Sequence, residues 1–179
     1  FPEVATETFG DPAEGGLVLG LLFASLSAGA VLGGIFSGWL PRVQRQGVAV
    51  IACIVVWGGA MIGFGVSVAL ATVGERGWAL YLALGFLAIG GGADMISAAF
   101  RSSMLQSVAT DDMRGRLQGV FVVVVAGGPR VGDVLHGAAA FMVGTAAAAA
   151  GGGVLVIIGV MIAALAIPAF VRYRVTAHT

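Results

Sequence analysis

Five long apolar stretches constrain this chain more than any other feature: they run approximately over residues 17–40, 47–73, 78–100, 117–144 and 153–171. A helix rises 1.5 Å per residue, so roughly 20 apolar residues cross a hydrocarbon core about 30 Å thick. A lipid-facing barrel strand would be half as long and would alternate in polarity, so the uninterrupted apolar runs predict helices. Of the 179 residues 59% are hydrophobic and only 10% charged, whereas about a quarter are charged in a soluble domain. The expectation is an all-α, polytopic transmembrane bundle of about five spans, with residues 1–179 forming one unit in a lipid bilayer.

Charge orients the spans. The net charge is zero, Lys is absent, and all nine basic residues are Arg, which leaves no basic patch for nucleic acid. Arg42 and Arg45 lie between the first two spans, Arg101, Arg114 and Arg116 between the third and fourth, and Arg172 and Arg174 after the fifth. All seven fall on one side. The other side receives Glu3, Glu7, Asp11, Glu14, Glu75 and only Arg76. By the positive-inside rule the Arg-rich side is cytoplasmic, with residues 1–16 outside and the C-terminus inside. Trp39, Trp78 and Tyr173 sit at span ends where amphipathic rings settle, but Trp57 does not. The Ala, Gly and Val excess and the missing Lys suggest a GC-rich bacterial gene, hence the bacterial plasma membrane. The chain opens on Phe1 with no signal-peptide pattern, so a fragment or processed product is expected.

Within the spans, ionisable residues stand out. Arg130 lies about 20 Å into the fourth span, with Asp133 three residues on and His136 six on. Such groups are costly at membrane depth and persist where they face protein or water, which makes this segment a functional-site candidate. Residues three apart are neighbours on a helix, so Arg130 and Asp133 can pair. Pro129, flanked by Gly127, Gly128 and Gly132, predicts a helix break beside them. Asp94 falls about 10 Å before Arg101 and is either a structural partner of Arg101, Arg114 or Arg116 or a second pathway residue. Lacking charge, the second and fifth spans are expected to face lipid on most sides, Val50–Val56 and Val154–Val160 included; the third and fourth are expected inside.

Smaller features follow. Ser25, Ser27 and Ser37 are expected to bond their own backbone. The pairs Gly29/Gly33, Gly34/Gly38, Gly59/Gly63 and Gly128/Gly132 allow close helix approach. The low-complexity tract 146–153 reads as an external turn leading into the fifth span, and 101–116 as a long cytoplasmic connection with Thr110 as helix cap. Cys53 is alone, so neither a disulfide nor a metal site is supported, and no cofactor is expected. No phosphate loop, zinc spacing, nucleophile elbow or dinucleotide fingerprint occurs, so an enzyme is not expected.

Three runs carry a family resemblance: Asp94-Met95-Ile96-Ser97 with Phe100-Arg101-Ser102-Ser103-Met104-Leu105-Gln106; Asp112-Met113-Arg114-Gly115-Arg116-Leu117-Gln118-Gly119-Val120-Phe121; and Gly127-Gly128-Pro129-Arg130-Val131-Gly132-Asp133. They resemble the C-terminal half of major facilitator superfamily exporters, most closely the enterobactin-exporter branch. The resemblance implies that the five spans are helices eight to twelve of a six-helix half lacking most of its first helix, that Phe1-Pro2-Glu3 is the outer end of the seventh, and that the N-terminal half is a missing partner. It also implies alternating access around a central site, proton coupling, and ninth and twelfth helices at the lipid-facing periphery. The loop 38–47 matches the family's cytoplasmic gating loop only loosely: its usual Asp is absent and Pro41 stands nearby.

The resulting expectation is a secondary active exporter of a small organic molecule, such as a siderophore or drug, in exchange for protons. Asp133 is the preferred proton-responsive carboxylate, Arg130 its partner or an anion binder, Asp94 and His136 further pathway residues, and Arg42, Arg45, Arg101, Arg114 and Arg116 gating or topology residues. Low dielectric opposes a carboxylate's charge and a nearby guanidinium supports it, so proton or substrate binding can switch such a pair. Alternatives are a non-transporting membrane scaffold or complex subunit, and an importer of the same architecture. Cysteine labelling from outside, in a Cys53-free background, tests the orientation: position 11 reacts and position 44 does not, and the reverse pattern overturns it.

Overall fold

The computed structural model describes residues 1–12, 15–74, 76–108 and 111–174, with the side chains at 41, 108, 111, 112 and 114 outside that description. Among the described residues there is no strand, and the elements are a π-helical turn Val4–Thr8, α1 Leu17–Ile35, a 3-10 turn Phe36–Arg42, α2 Gln46–Thr72, α3 Arg76–Val108, α4 Asp111–Val143, α5 Thr145–Ala166 and the short α6 Pro168–Val171. Five helices are long and apolar enough to cross a membrane. Chain reversals are made by few residues: Gly74 (φ +114°) closes α2 and Gly144 (φ +85°) separates α4 from α5, both in the left-handed region where only glycine is unstrained. The tract 146–153 therefore lies wholly inside α5, since Gly144 alone makes the reversal that was expected of the tract. The connection expected over 101–116 is likewise mostly helix, with Thr110 outside the described residues. At its other end α5 stops at Ala166, with Ile167 as cap before Pro168, whose ring and missing N–H cannot continue the helix.

Glycine sets the helix pairs. A β-carbon at Gly29 or Gly33 would strike the backbone of Ala88 or Gly92, and one at Gly91 would strike Leu26, so α1 and α3 touch backbone to backbone. Gly58 and Gly153 do the same for α2 and α5, and Gly65 packs onto Ala146 and Ala150. Of the pairs expected from sequence, Gly29/Gly33 lies at such an interface throughout. Gly63 packs on the Phe86 ring, but Gly38, Gly59, Gly128 and Gly132 face open space. Spacing of four selects one helix face, but whether a neighbour lies there depends on the rest of the bundle.

The most buried cluster sits at the acidic end: Val4, Ala5, Leu22, Phe64, Val68, Ala83 and Leu87. The Phe1 ring meets Phe23 and Phe64 edge-on, with centroids 5.2 and 5.8 Å apart. Asp11 helps seat this end, because its carboxylate accepts the Leu19 N–H at 2.8 Å and so caps the positive start of α1. At the Arg-rich end Trp39 packs edge-on to the buried Phe100, and the Ser107 and Tyr173 hydroxyls are hydrogen-bonded at 2.8 Å.

Two expectations about burial are corrected. The second span is central: α2 lies between α3 and α5 and buries Val50, Ala60, Phe64 and Val68. Being charge-free permits lipid contact without requiring it, and Gly58 and Gly65 give α2 two close neighbours. The fifth span keeps Val154, Leu155 and Ile158 exposed, as expected. The fourth span is the outermost: none of the most apolar window of α4 is buried, and it packs mainly on α5. The expected break at Pro129 is also absent, for α4 runs unbroken through it. Proline removes one backbone hydrogen bond, and without competing water the remaining helical bonds hold.

Packing glycines and open glycines should respond oppositely to alanine. Gly29→Ala or Gly153→Ala should destabilise the bundle in detergent by about 1–3 kcal/mol through overpacking. Gly59→Ala should stabilise it by up to about 1 kcal/mol, as an exposed mid-helix glycine does. Thermal unfolding followed by helical circular dichroism reads both.

Candidate functional site: a polar groove between α2 and α5

Faces of α2 and α5 border a groove. On α2 the lining residues Cys53, Trp57, Met61 and Phe64 recur at helical spacing and so form one stripe; on α5 the wall is small, with Ala148, Ala149, Gly152 and Gly153. Gly153 is covered by Gly58 and Ile62 of α2 and Gly152 by the His136 imidazole, so the open space lies beside these contacts. The groove holds two cavities.

The cavity nearer the acidic end, about 480 Å³, receives Asp133 and His136 from α4, Glu3 from the first turn and Thr145 from α5. His136 lies over Gly152, where any β-carbon would collide with the imidazole, and its Nδ1 is 3.2 Å from the Gly132 carbonyl oxygen. Asp133 and His136 are thus brought to one space, as the sequence suggested, although both remain exposed at its edge. Arg130 is not. It is exposed, lines neither cavity, and forms no ion pair with Asp133 among the described residues. At 100° per residue Arg130 lies about 60° round the helix from Asp133, which places it on the rim rather than the wall. The expected Arg130–Asp133 pair is corrected accordingly.

The cavity nearer the Arg-rich end, about 220 Å³, lies between α2, α3 and α5 and is lined by Cys53, Ile54 and Trp57, by Asp94, Ser97 and Arg101, and by Val156. Asp94 and Arg101 form the ion pair found among the described residues, 3.5 Å between Arg101 Nη2 and Asp94 Oδ1, and Arg101 Nε donates to the Ser97 carbonyl at 3.3 Å. With 66% of the Asp94 side chain and 36% of the Arg101 side chain exposed, the pair keeps contact with surrounding solvent or headgroups. This satisfies the structural alternative for Asp94 while leaving it on a cavity wall.

Ser97 was not singled out by sequence as a site residue. It is 2% exposed and its hydroxyl has no partner. An unpaired buried hydroxyl costs about 1–3 kcal/mol. Serines in apolar helices ordinarily avoid this by bonding a carbonyl one turn back: Ser25 to Leu22 at 2.9 Å, Ser27 to Phe23 at 2.9 Å, Ser67 to Gly63 at 2.7 Å, and Ser37 to Gly34. The hint available from sequence is the run Gly90, Asp94, Ser97, Arg101, which follows one face of α3.

Of the other expected residues, Arg42 and Arg45 flank the turn between α1 and α2, Arg116 is exposed near the start of α4, and the Arg114 side chain lies outside the described residues. No group of three or more His, Cys, Asp or Glu side chains that could hold a metal ion occurs among the described residues. The α4–α5 seating is testable with paired cysteines in a Cys53→Ser background. His136→Cys with Gly152→Cys should join efficiently through a short bifunctional thiol reagent, whereas Arg130→Cys with Gly152→Cys, made with His136→Ala so that no imidazole meets the new side chain, should not; equal yields would show that α4 does not sit on α5 by this face. Compared with known proteins, the chain matches no family model, no curated protein and no solved structure.

Proposed function

We propose that this chain is the C-terminal membrane bundle of a secondary active exporter of the major facilitator type, expelling a small organic molecule in exchange for protons by alternating access. The observation that carries the reading is the presence of Asp133 and His136 together on one cavity wall, about 10–15 Å from the α4 terminus at Val143. Titratable groups at membrane depth that border open space are the ordinary components of substrate and proton routes. In this reading Asp133 is the proton-responsive carboxylate, His136 its neighbour, and Asp94 with Arg101 a second polar station. Arg130, on the exposed face of α4, meets the N-terminal half of the transporter or its anionic substrate. The Arg-rich end is cytoplasmic and the membrane is the bacterial plasma membrane, on the charge asymmetry.

A second reading draws on a different observation. The apolar window of α4, none of it buried, suits a membrane scaffold that assembles with further helices through Arg130, without transport. The two are separated in the complete protein. On the transport reading, Asp133→Asn keeps the amount of folded protein and drops pH-gradient-driven efflux to background, because the amide keeps the shape and loses the titrating proton. On the scaffold reading Arg130→Gln lowers assembly, and Asp133→Asn with Arg130→Gln changes nothing further. Efflux that survives Asp133→Asn with its pH dependence intact removes Asp133 from coupling.

A further inference from the structure

Trp57 is common to both cavities. It stands on α2 one helical step from Cys53 on one side and from Met61 on the other, and its ring edge lies 3.8 Å from the position a β-carbon would take on Gly90 of α3. The indole thus lies against the Gly90 face of α3, and the same face continues into Asp94, Ser97 and Arg101 one, two and three turns further on. From Cys53 to Phe64 the α2 stripe covers about 16 Å, roughly half of the hydrocarbon thickness. The two cavities have this one wall residue in common, and each is bordered by α2 and α5.

The chemistry of the inner cavity identifies its occupant. Its polar lining is one carboxylate, one guanidinium and one hydroxyl, already neutral as a set, so it calls for no counter-ion. Ser97 has both a proton to donate and lone pairs to fill, and it does not use the backbone bond that Ser25, Ser27 and Ser67 use. Arg101 spends one N–H on the Ser97 carbonyl and one on Asp94, which leaves three of its five donors. Water satisfies all of these groups at once, and a cavity of about 220 Å³ has room for several molecules.

The geometry points to one hydrated path along α2 and α5, with ordered water held by Ser97, Asp94 and Arg101 in the inner cavity and with Trp57 as the partition between it and the outer Asp133–His136 cavity. Hydration stands independently of the transport reading; only the use of this water to carry protons rests on that reading. Cys53, on the wall of the inner cavity, is the native reporter. It also borders an apolar cleft formed with Leu32, Phe36 and Ile96, so lipid-soluble reagents have a route to it that water does not.

The test measures Cys53 modification in right-side-out and inverted membrane vesicles containing the complete protein, with a small charged methanethiosulfonate and, separately, a lipid-soluble maleimide. The charged reagent should modify wild-type Cys53 from the Arg-rich end. Trp57→Ala should raise its rate from the acidic end by roughly tenfold or more, while Leu32→Ala in the apolar cleft leaves that rate unchanged; Trp57→Phe provides a milder version should the alanine variant fold poorly. Modification by the maleimide alone overturns the hydrated path. Equal rates from the acidic end in wild type and in the Trp57 variants overturn the partition. Because labelling does not depend on efflux, efflux that survives Asp133→Asn while the charged reagent still modifies Cys53 removes the coupling role and leaves the hydrated path standing, and loss of efflux in Asp133→Asn with Cys53 open to the maleimide alone does the reverse.

Discussion

Close backbone approach at glycine is the interaction on which the rest of this bundle depends. Between helices in lipid there is little hydrophobic drive, since hydrocarbon is as apolar as Leu, so association rests on van der Waals contact and on whatever lets helices come near. Gly29, Gly33 and Gly91 provide this for α1 and α3, and Gly58, Gly65 and Gly153 for α2 and α5. The contacts turn Gly58, Ile62 and Gly65 of α2 toward α5, which sets Trp57 and Met61 against Gly90 of α3 at the edge of the groove. The cavity nearer the acidic end lies beside these contacts, with Ala148, Ala149 and Gly152 of α5 on its wall.

Polar groups then sort by the space they are given. Serines facing packed surfaces are closed onto their own backbone, as at Ser25 and Ser67. Ser97 faces a cavity and stays open. Asp94 and Arg101, two turns apart on α3, reach each other across the length of the Arg side chain and frame that cavity. A carboxylate–guanidinium pair so exposed contributes little to stability, and its value lies in holding two charged groups on the wall at no net charge.

Much of this was legible in the sequence because length and charge are one-dimensional properties. Five apolar runs are enough to place the helices, and seven arginines at alternate connections carry the expectation for their directions. The Asp94–Arg101 pair was within reach because both residues sit on one helix. What escaped depends on three-dimensional neighbours. Gly58 and Gly153 stand on different helices and no spacing rule joins them. The burial of α2 could not be read from its lack of charge, because an apolar surface is at ease in lipid and in protein alike. Pro129 misled in the opposite sense: its local chemistry is that of a helix breaker, but a continuous α4 loses only one hydrogen bond at that site, whereas a true break would expose several. Ser97 was invisible for a subtler reason, since a serine in an apolar helix is normally self-satisfied and only the absence of that bond marks it out.

The position of α4 follows from these constraints taken together. Its apolar window is exposed, which lipid tolerates, but the same surface carries Arg130, and an arginine at the centre of a helix costs about 2.5–3.5 kcal/mol even on insertion scales. The α3–α2–α5 core is already closed by glycine contacts and offers Arg130 no acceptor among the described residues, while Asp133, about 60° round the helix, borders the groove. In a membrane the guanidinium therefore needs water or protein beyond the five helices described. On the transport reading both requirements have the same solution: the exposed face of α4 at Arg130 meets the second half of the transporter, and the neighbouring edge at Asp133 and His136 borders the groove. A single helix then joins the inter-bundle surface, which moves during alternating access, to Asp133 and His136, which sense protons, so motion of one is mechanically tied to the state of the other.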